Sequence, residues 1–135
     1  MLTLSNRSLL NKTFLADGAF SLLVGAILIF DAAALAALIS PAATAVMMKL
    51  LGVGLIAWGI FHLSAARNGG PVSAAARISI AGDILWQVAS LALLATAYSV
   101  LTPVGIGLVI VGLIGVGDFL FFKLKGFGRE RATLA

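Results

Sequence analysis

The stretch VGIGLVIVGLIGVGDFLFFKL, residues Val104–Leu124, decides the fold. It is almost entirely apolar over about 20 residues, which is the length that a helix needs to cross roughly 30 Å of bilayer hydrocarbon. Three earlier segments are similarly long and apolar, and they run over about 14–39, 44–66 and 78–101. The sequence therefore predicts an all-α, polytopic membrane protein, a four-helix transmembrane bundle that forms a single domain over residues 1–135.

The composition of the chain excludes most classes of soluble protein. Of its 135 residues, 61% are hydrophobic and 10% are charged, whereas soluble domains are about half apolar and a quarter charged. The absence of cysteine excludes disulfides, thiol catalysis and cysteine metal sites. The net charge of +4 favours anionic lipid headgroups as partners, and not nucleic acid, because the basic residues flank the apolar segments.

The basic residues also predict how the helices are oriented. Turn signals separate the apolar segments at Pro41, at 67–71 and at Pro103. Eight of the nine Lys and Arg residues then fall on one side of the membrane, and only Lys49 falls on the other. By the positive-inside rule, the N- and C-termini should both be cytoplasmic. The residues Met1–Thr13 either lie along the membrane interface or extend the first helix.

An internal repeat relates the two halves of the chain. Val53–Phe61 aligns with Val111–Phe119 at an offset of 58, and six of the nine pairs are identical. The first and third spans align more loosely, with Asp17 over Asp83. The sequence therefore predicts two tandem helical hairpins that form a parallel pseudo-repeat about an axis along the membrane normal. The alternative is a chance alignment of residues that are common in membrane helices.

Each span carries one ionisable residue near its predicted cytoplasmic end: Asp17, His62, Asp83 and Asp118. Such residues are costly inside a membrane and are functional-site hypotheses by default. If all four face inward, they form one polar cluster. Two helical faces extend it, because polar residues recur at helical spacing in the third span and in the first. These residues are Ser79, Asp83, Gln87 and Ser90, and Asp17 and Ser21.

Three kinds of site could use this cluster. His62 and the aspartates could hold a divalent metal ion, or the same groups could relay protons or cations. Gln87, Trp86 and His62 could instead bind a lipid headgroup, a quinone or another small molecule. The structural alternative is that the aspartates cap helix starts or pair with interfacial cations, and that His62 is an interfacial residue.

A second charged pair lies toward the opposite side of the membrane. At 1.5 Å per residue, Asp31 lies about 21 Å along span one from Asp17, and Lys49 lies about 20 Å along span two from His62. These near-equal depths predict a structural ion pair between Asp31 and Lys49, which would join the first two spans. A role for this pair in a substrate path is the alternative.

The sequence favours a function without catalysis. It contains no paired-histidine motif, phosphate loop or Gly-x-Ser-x-Gly motif, and it identifies no cofactor, resident metal or catalytic residue. Small size, short loops and glycine-rich spans favour an accessory subunit or a self-associating component of a membrane complex, as a homo-oligomer or with other membrane subunits. The alternative is a small transporter or a ligand- or ion-binding membrane protein that uses the Asp/His cluster.

Two segments carry a resemblance to known proteins. LADGAFSLLVG, residues 15–25, and LLGVGLIAWG, residues 50–59, resemble the uncharacterised small four-span bacterial integral membrane proteins. In those proteins an Asp-Gly pair opens the first span and a Leu-Gly-x-Gly segment fills the second. The turn at Pro41 followed by a glycine-rich span also resembles, more weakly, the hairpin repeats of HdeD-like proteins, which have more spans. The resemblance implies a bacterial inner membrane and assigns no functional residue.

Overall fold

Helices make up nearly all of the computed structural model, which describes residues 4–134, and this part of the chain contains no strand. Five α-helices follow one another, with short 3₁₀ turns at Leu4–Asn6 and Tyr98–Val100. The helices are α1 (Leu9–Phe30), α2 (Ala32–Ile39), α3 (Ala45–Ala66), α4 (Ser73–Ala97) and α5 (Pro103–Leu134). The predicted all-α fold is confirmed.

Four of these helical segments are long and apolar enough to cross a membrane. They are Leu9–Phe30, Ala45–Ala66, Ser73–Val100 and Pro103–Leu134. Most of their large apolar side chains point outward, and only small clusters of them are buried. A bundle with this apolar exterior suits a lipid environment, because lipid tails cover the apolar surface that water would not. The fold is therefore that of a multi-pass membrane protein.

The observed helix bounds differ from the predicted spans at four places. Helix α4 covers Ser73–Ala97, whereas the third span was predicted over about 78–101. Span one is not continuous over 14–39, because α1 ends at Phe30 and α2 begins after a break at Asp31. Residues 9–13 extend α1, in agreement with one of the two alternatives for this stretch, whereas Met1–Thr3 lie outside the described residues. Helix α5 runs on to Leu134, beyond the predicted end at Leu124. Polar residues mark where the apolar span ends, but the backbone still forms its internal hydrogen bonds past that point.

Helices α1 and α3 pack together through reciprocal glycines. A Cβ atom at Gly25 would lie 2.8 Å from the carbonyl oxygen of Gly52, and one at Gly52 would lie 2.7 Å from that of Gly25. Gly18 and Gly59 approach each other in the same way, about two helical turns away from the first pair. Only residues without a side chain allow two backbones to come this close, and close approach is the usual source of helix association in lipid.

The second hairpin, formed by α4 and α5, joins the first mainly through contacts of α5 with α1 and α2. Helix α3 meets α4 at fewer points, including the Trp58 ring, which lies against Gly82.

Not every glycine of the chain takes part in helix packing. A Cβ atom at Gly54, Gly107 or Gly115 would meet no atom within 4 Å. The predicted pseudo-repeat about the membrane normal is not tested by these contacts and stays a prediction.

The two hairpin turns contact each other at one end of the bundle, which we call the turn end. The Thr102 backbone N–H donates to the carbonyl oxygen of Ile39 at 2.9 Å, and the Ser40 hydroxyl donates to the carbonyl oxygen of Val100 at 2.6 Å. Gly105 packs against the backbone of Ile39 with no room for a Cβ atom. These bonds join the two hairpins where the sequence predicted no feature.

The opposite end, which we call the basic end, carries the exposed side chains of Lys12, Arg67, Arg77, Lys125, Arg129 and Arg131. It is closed by Glu130, which is only 6% exposed. The carboxylate of Glu130 accepts hydrogen bonds from the Val72 backbone N–H at 2.7 Å and from the Ser73 hydroxyl at 2.5 Å. An acceptor at the start of α4 satisfies donors that have no partner within the helix. The last turn of α5 therefore fixes the start of α4.

The glycine contacts between α1 and α3 predict that Gly52→Ala destabilises the protein. The added methyl group would collide with the Gly25 backbone, and overpacking of this kind costs about 1–3 kcal/mol. Gly54→Ala is the matched control on the same helix, because its methyl group enters open space. Reversible unfolding in mixed micelles should show a loss of stability for Gly52→Ala and none for Gly54→Ala. Equal stability of the two variants would contradict the packing described above.

Candidate functional site

The site is organised around the ammonium group of Lys123, whose residue is fully buried. Lys123 comes from α5 and lies between the carboxylates of Asp17 on α1 and Asp83 on α4. Its Nζ donates to Asp83 Oδ2 at 2.5 Å and also to Asp17 Oδ2. Asp17 is 5% exposed and Asp83 is 3% exposed. One cation therefore bridges two buried carboxylates from different helices.

His62 connects the remaining span, α3, to this arrangement. Its Nε2 lies 2.7 Å from the hydroxyl oxygen of Ser79 and 3.5 Å from Asp17 Oδ2. Its Nδ1 lies 2.8 Å from the carbonyl oxygen of Trp58, one turn earlier on the same helix. His62 and Ser79 are both fully buried. We call Asp17, His62, Ser79, Asp83 and Lys123 the Lys123 cluster.

Helical spacing explains why these side chains meet. Ser79 and Asp83 are four residues apart on α4, and Asp17 and Ser21 are four residues apart on α1, so each pair lies on one face. The Ser21 hydroxyl donates to Asp17 Oδ1 at 3.0 Å, which orients the carboxylate. Of the two polar faces predicted from the sequence, Asp17, Ser21, Ser79 and Asp83 are buried in the bundle, whereas Gln87 and Ser90 are half-buried.

Aromatic rings enclose the imidazole of His62. The ring centroids of Phe14, Trp58 and Phe61 lie 4.7, 4.9 and 5.1 Å from that of His62. Lys123 Nζ lies 6.0 Å from the centre of the Phe14 ring. These rings exclude water from one side of the cluster, and a water-poor surrounding strengthens the interactions between its charges.

The interpretation of Asp17 and Asp83 as helix caps is wrong. Helix α1 begins at Leu9 with Ser8 as its cap, and α4 begins at Ser73, so both aspartates lie well inside their helices. Both charges are satisfied by Lys123, and that of Asp17 also by the Ser21 hydroxyl, instead of by helix N-termini. They are internal ion-pairing residues in the folded chain.

Asp118 does not join the cluster, contrary to the expectation that all four ionisable residues face inward. It is exposed, and within residues 4–134 it has no ion pair or side-chain hydrogen bond. The reason is its position on α5. Asp118 lies five positions before Lys123, which places the two side chains about 140° apart around the helix. Because Lys123 faces the bundle interior, Asp118 faces outward.

Trp86 and Gln87 are half-buried and contact α5, and among residues 4–134 neither makes a hydrogen bond or ring contact with His62. The Gln87 amide donates to the carbonyl oxygen of Leu113 at 2.9 Å. Trp86 Nε1 lies 3.9 Å from the place where a Cβ atom would stand at Gly112. The candidate small-molecule site of Gln87, Trp86 and His62 is not tested by these contacts and stays a prediction.

The predicted ion pair between Asp31 and Lys49 is wrong. Both side chains are exposed, and no ion pair joins them in the described part of the chain. Met48, not Lys49, is buried where α3 meets α2. Adjacent residues in a helix are about 100° apart, so Lys49 points away from that contact.

The Lys123 cluster consists of charged and protonatable groups. Lys123 occupies the position between the two carboxylates that a metal ion would need. Within residues 4–134, no group of three or more His, Cys, Asp or Glu side chains is placed to hold a metal ion. Two carboxylates, an ammonium group, an imidazole and a hydroxyl group in hydrogen-bond contact can instead bind and release protons. Acid–base chemistry is what this donor and acceptor set supports.

Sequence reasoning did not identify Lys123 as a member of the site. In the sequence, Lys123 stands among the basic residues that flank the last span, next to Leu124 and Lys125, where the apolar segment ends. The sequence nevertheless contains an indication that Lys123 belongs to the site. Two aspartates inside apolar helices need counter-charges, and Lys123 is preceded by an apolar run that continues the membrane-spanning helix.

Comparison of the chain with protein-family models, with curated proteins and with solved structures finds no match. The resemblance to small four-span bacterial membrane proteins therefore stays a prediction. The roles of the residues in the Lys123 cluster are argued from their geometry alone.

The Lys123 cluster predicts that Lys123→Met destabilises the folded protein strongly. The change leaves two buried carboxylates without their cation, and breaking a buried ion pair in this way costs about 3–5 kcal/mol. Combining it with Asp17→Asn and Asp83→Asn removes the unpaired charges, so the triple variant should recover much of the loss. Unfolding in mixed micelles measures both.

Lys125→Met is the control for this prediction, because Lys125 is exposed on the same helix. An exposed substitution of this kind usually changes stability by less than about 0.5 kcal/mol. If Lys123→Met were no more damaging than Lys125→Met, Lys123 would not be holding the two carboxylates together.

Proposed function

We propose that this protein is a non-catalytic accessory subunit of a membrane complex, and that it works by packing the outer face of α5 against a helix of another membrane protein. The observation that carries this proposal is the exposed carboxylate of Asp118 within the apolar part of α5. An ionisable group at membrane depth is normally paired or faces a protein interior. A partner helix would provide that pairing.

Asp118 lies well inside the apolar part of α5. It precedes Lys125 by seven residues, about 10 Å along the helix axis, and it follows Pro103 by about 22 Å. Its side chain is exposed, and the charged groups of the Lys123 cluster lie on another face of the helix. A carboxylate left against hydrocarbon is costly. Covering it with a helix that carries a hydrogen-bond donor or a cation removes this cost.

The surface around Asp118 has the shape that helix packing needs. Residues Gly107, Val111, Ile114, Asp118 and Lys125 recur at helical spacing along α5, and all of them are exposed. We call this set the outer face of α5. A Cβ atom at Gly107 would meet no other atom within 4 Å, so this part of the backbone is open to a neighbouring helix. Close backbone approach is favourable between helices in lipid.

Charge complementarity favours a different chain as the partner, and not a second copy. The distribution of Lys and Arg predicts one orientation in the membrane. Two copies that pack through the outer face of α5 about a twofold axis would then bring Asp118 against the Asp118 of the other copy. Like charges in contact are unfavourable, whereas a partner with Lys, Arg or an amide at that depth is complementary.

The interior of the bundle supports this proposal over a transporter that uses the Asp/His cluster. Asp17, His62 and Asp83 do converge, but they converge on the ammonium group of Lys123, which fills the space between them. The carboxylates are thus bound to a fixed cation of the same chain. Their arrangement ties four helices together, and a substrate ion would have to displace Lys123.

Anionic lipids are proposed as further partners at the basic end. Six Lys and Arg side chains are exposed there, and each basic group near an anionic membrane surface contributes about 1 kcal/mol of attraction. Placement of this end in the cytoplasm of a bacterial cell, at its inner membrane, belongs to the same proposal. It follows from the positive-inside rule and from the resemblance.

A crosslinking experiment in native membranes tests the accessory role. The chain has no cysteine, so Val111→Cys places a single thiol on the outer face of α5, where a thiol-linked photocrosslinker can be attached. Val111 is 64% exposed, and Leu85→Cys, at a site 69% exposed on α4, is the matched control. We expect one discrete adduct from Val111→Cys that is absent from Leu85→Cys.

The adduct should depend on Asp118. Adding Asp118→Leu to Val111→Cys should abolish the adduct, because the partner loses its counter-charge. The fold should be retained, since Asp118 is exposed and makes no ion pair or side-chain hydrogen bond within residues 4–134. The mass of the adduct identifies what is bound. An adduct of two copies of this chain, or one that persists in Asp118→Leu, would overturn the accessory role.

A further inference from the structure

The Lys123 cluster has unbalanced charge when its histidine is neutral. The two carboxylates of Asp17 and Asp83 carry two negative charges, and Lys123 supplies a single positive one. All of these side chains are buried, and an uncompensated charge in such surroundings is expensive. One additional proton makes the cluster neutral as a whole, so the question is where that proton resides.

Hydrogen bonding determines which nitrogen of His62 is available. Nδ1 lies 2.8 Å from the carbonyl oxygen of Trp58. A carbonyl oxygen can only accept a hydrogen bond, so Nδ1 must carry a proton and donate it. In the neutral ring, Nε2 is then the unprotonated nitrogen, and its lone pair points at Ser79 and Asp17. This tautomer places the basic site inside the cluster.

The two oxygen neighbours of Nε2 favour a protonated nitrogen. The hydroxyl of Ser79 can donate or accept, so it suits either state of the ring. Asp17 Oδ2 can only accept, and at 3.5 Å it faces the lone pair of a neutral Nε2 without a bonding proton. When a proton from water binds Nε2, the new N–H donates toward both oxygens, and the Ser79 hydroxyl turns from donor to acceptor.

We propose that the Lys123 cluster is a proton-binding site and that His62 Nε2 is the atom that takes up the proton. The groups that face the imidazole from each packed helix are Asp17 and Phe14 on α1, Trp58 and Phe61 on its own helix, Ser79 on α4 and, beyond Asp17, Lys123 and Asp83. Uptake of one proton converts a cluster with one excess negative charge into a neutral one. This property is independent of the proposed accessory role, because Asp118 and the outer face of α5 take no part in it.

Histidine-selective NMR tests the proposal directly. His62 is the only histidine in the chain, so ¹⁵N-histidine labelling of the full-length protein in lipid bilayers reports on this residue alone. As the pH is lowered, we expect the ring to pass from the Nδ1–H neutral tautomer to the imidazolium form, with the change at Nε2. A neutral ring with its proton on Nε2, or a ring that stays neutral while a carboxyl of Asp17 or Asp83 becomes protonated, would overturn the assignment.

Three Asp→Asn variants test the charge balance. Asp17→Asn and Asp83→Asn each make the cluster neutral without an extra proton, so half-protonation of His62 should require at least about tenfold more protons than in the wild type. Asp118→Asn is the control, because Asp118 lies outside the cluster and should leave the titration unchanged. If Asp83→Asn left the titration of His62 as unchanged as Asp118→Asn does, protonation would depend on the local contact with Asp17 and not on the net charge of the cluster. The proposal would then fail.

Discussion

The ammonium group of Lys123 between the carboxylates of Asp17 and Asp83 is the interaction on which the rest of the structure depends. Apolar faces alone do not specify which membrane helices pack together, because lipid tails cover such faces equally well. Three buried charges from α1, α4 and α5, extended to α3 through His62, are satisfied by one another in this arrangement of the helices. Removing Lys123 leaves both buried carboxylates without their cation, and an uncompensated buried charge is strongly destabilising.

The sequence predicts the fold better than it predicts the site. Spans and turns follow from apolar length and proline, whereas the break at Asp31 and the extension of α5 to Leu134 depend on backbone hydrogen bonds that composition does not report. Helical spacing places Ser79 with Asp83 and Asp17 with Ser21. It does not reveal how α5 is rotated relative to its neighbours, and this rotation brings Lys123 into the bundle and sends Asp118 outside.

The two kinds of charged position have different consequences. Within the bundle, carboxylates are matched by a cation of the same chain, and the remaining imbalance is one proton at His62. On the outside, the carboxylate of Asp118 has no counter-charge among residues 4–134, and it lies on a helix face with an open glycine. The proposed accessory role uses only the outer position, where a partner helix would supply the missing counter-charge, and the proposed proton site uses only the inner one.

A dipolar-coupling measurement between Lys123 and its two carboxylates tests the central claim most directly. Replacing the other three lysines by arginine leaves Lys123 as the single ¹⁵Nζ label, which can be observed against ¹³Cγ-labelled aspartate in lipid bilayers. The structure predicts couplings from two carboxyl carbons within about 4 Å, the contact distance of an ion pair, one lost in Asp17→Asn and the other in Asp83→Asn. A Lys123 ammonium group with no carboxyl carbon in that range would contradict the account.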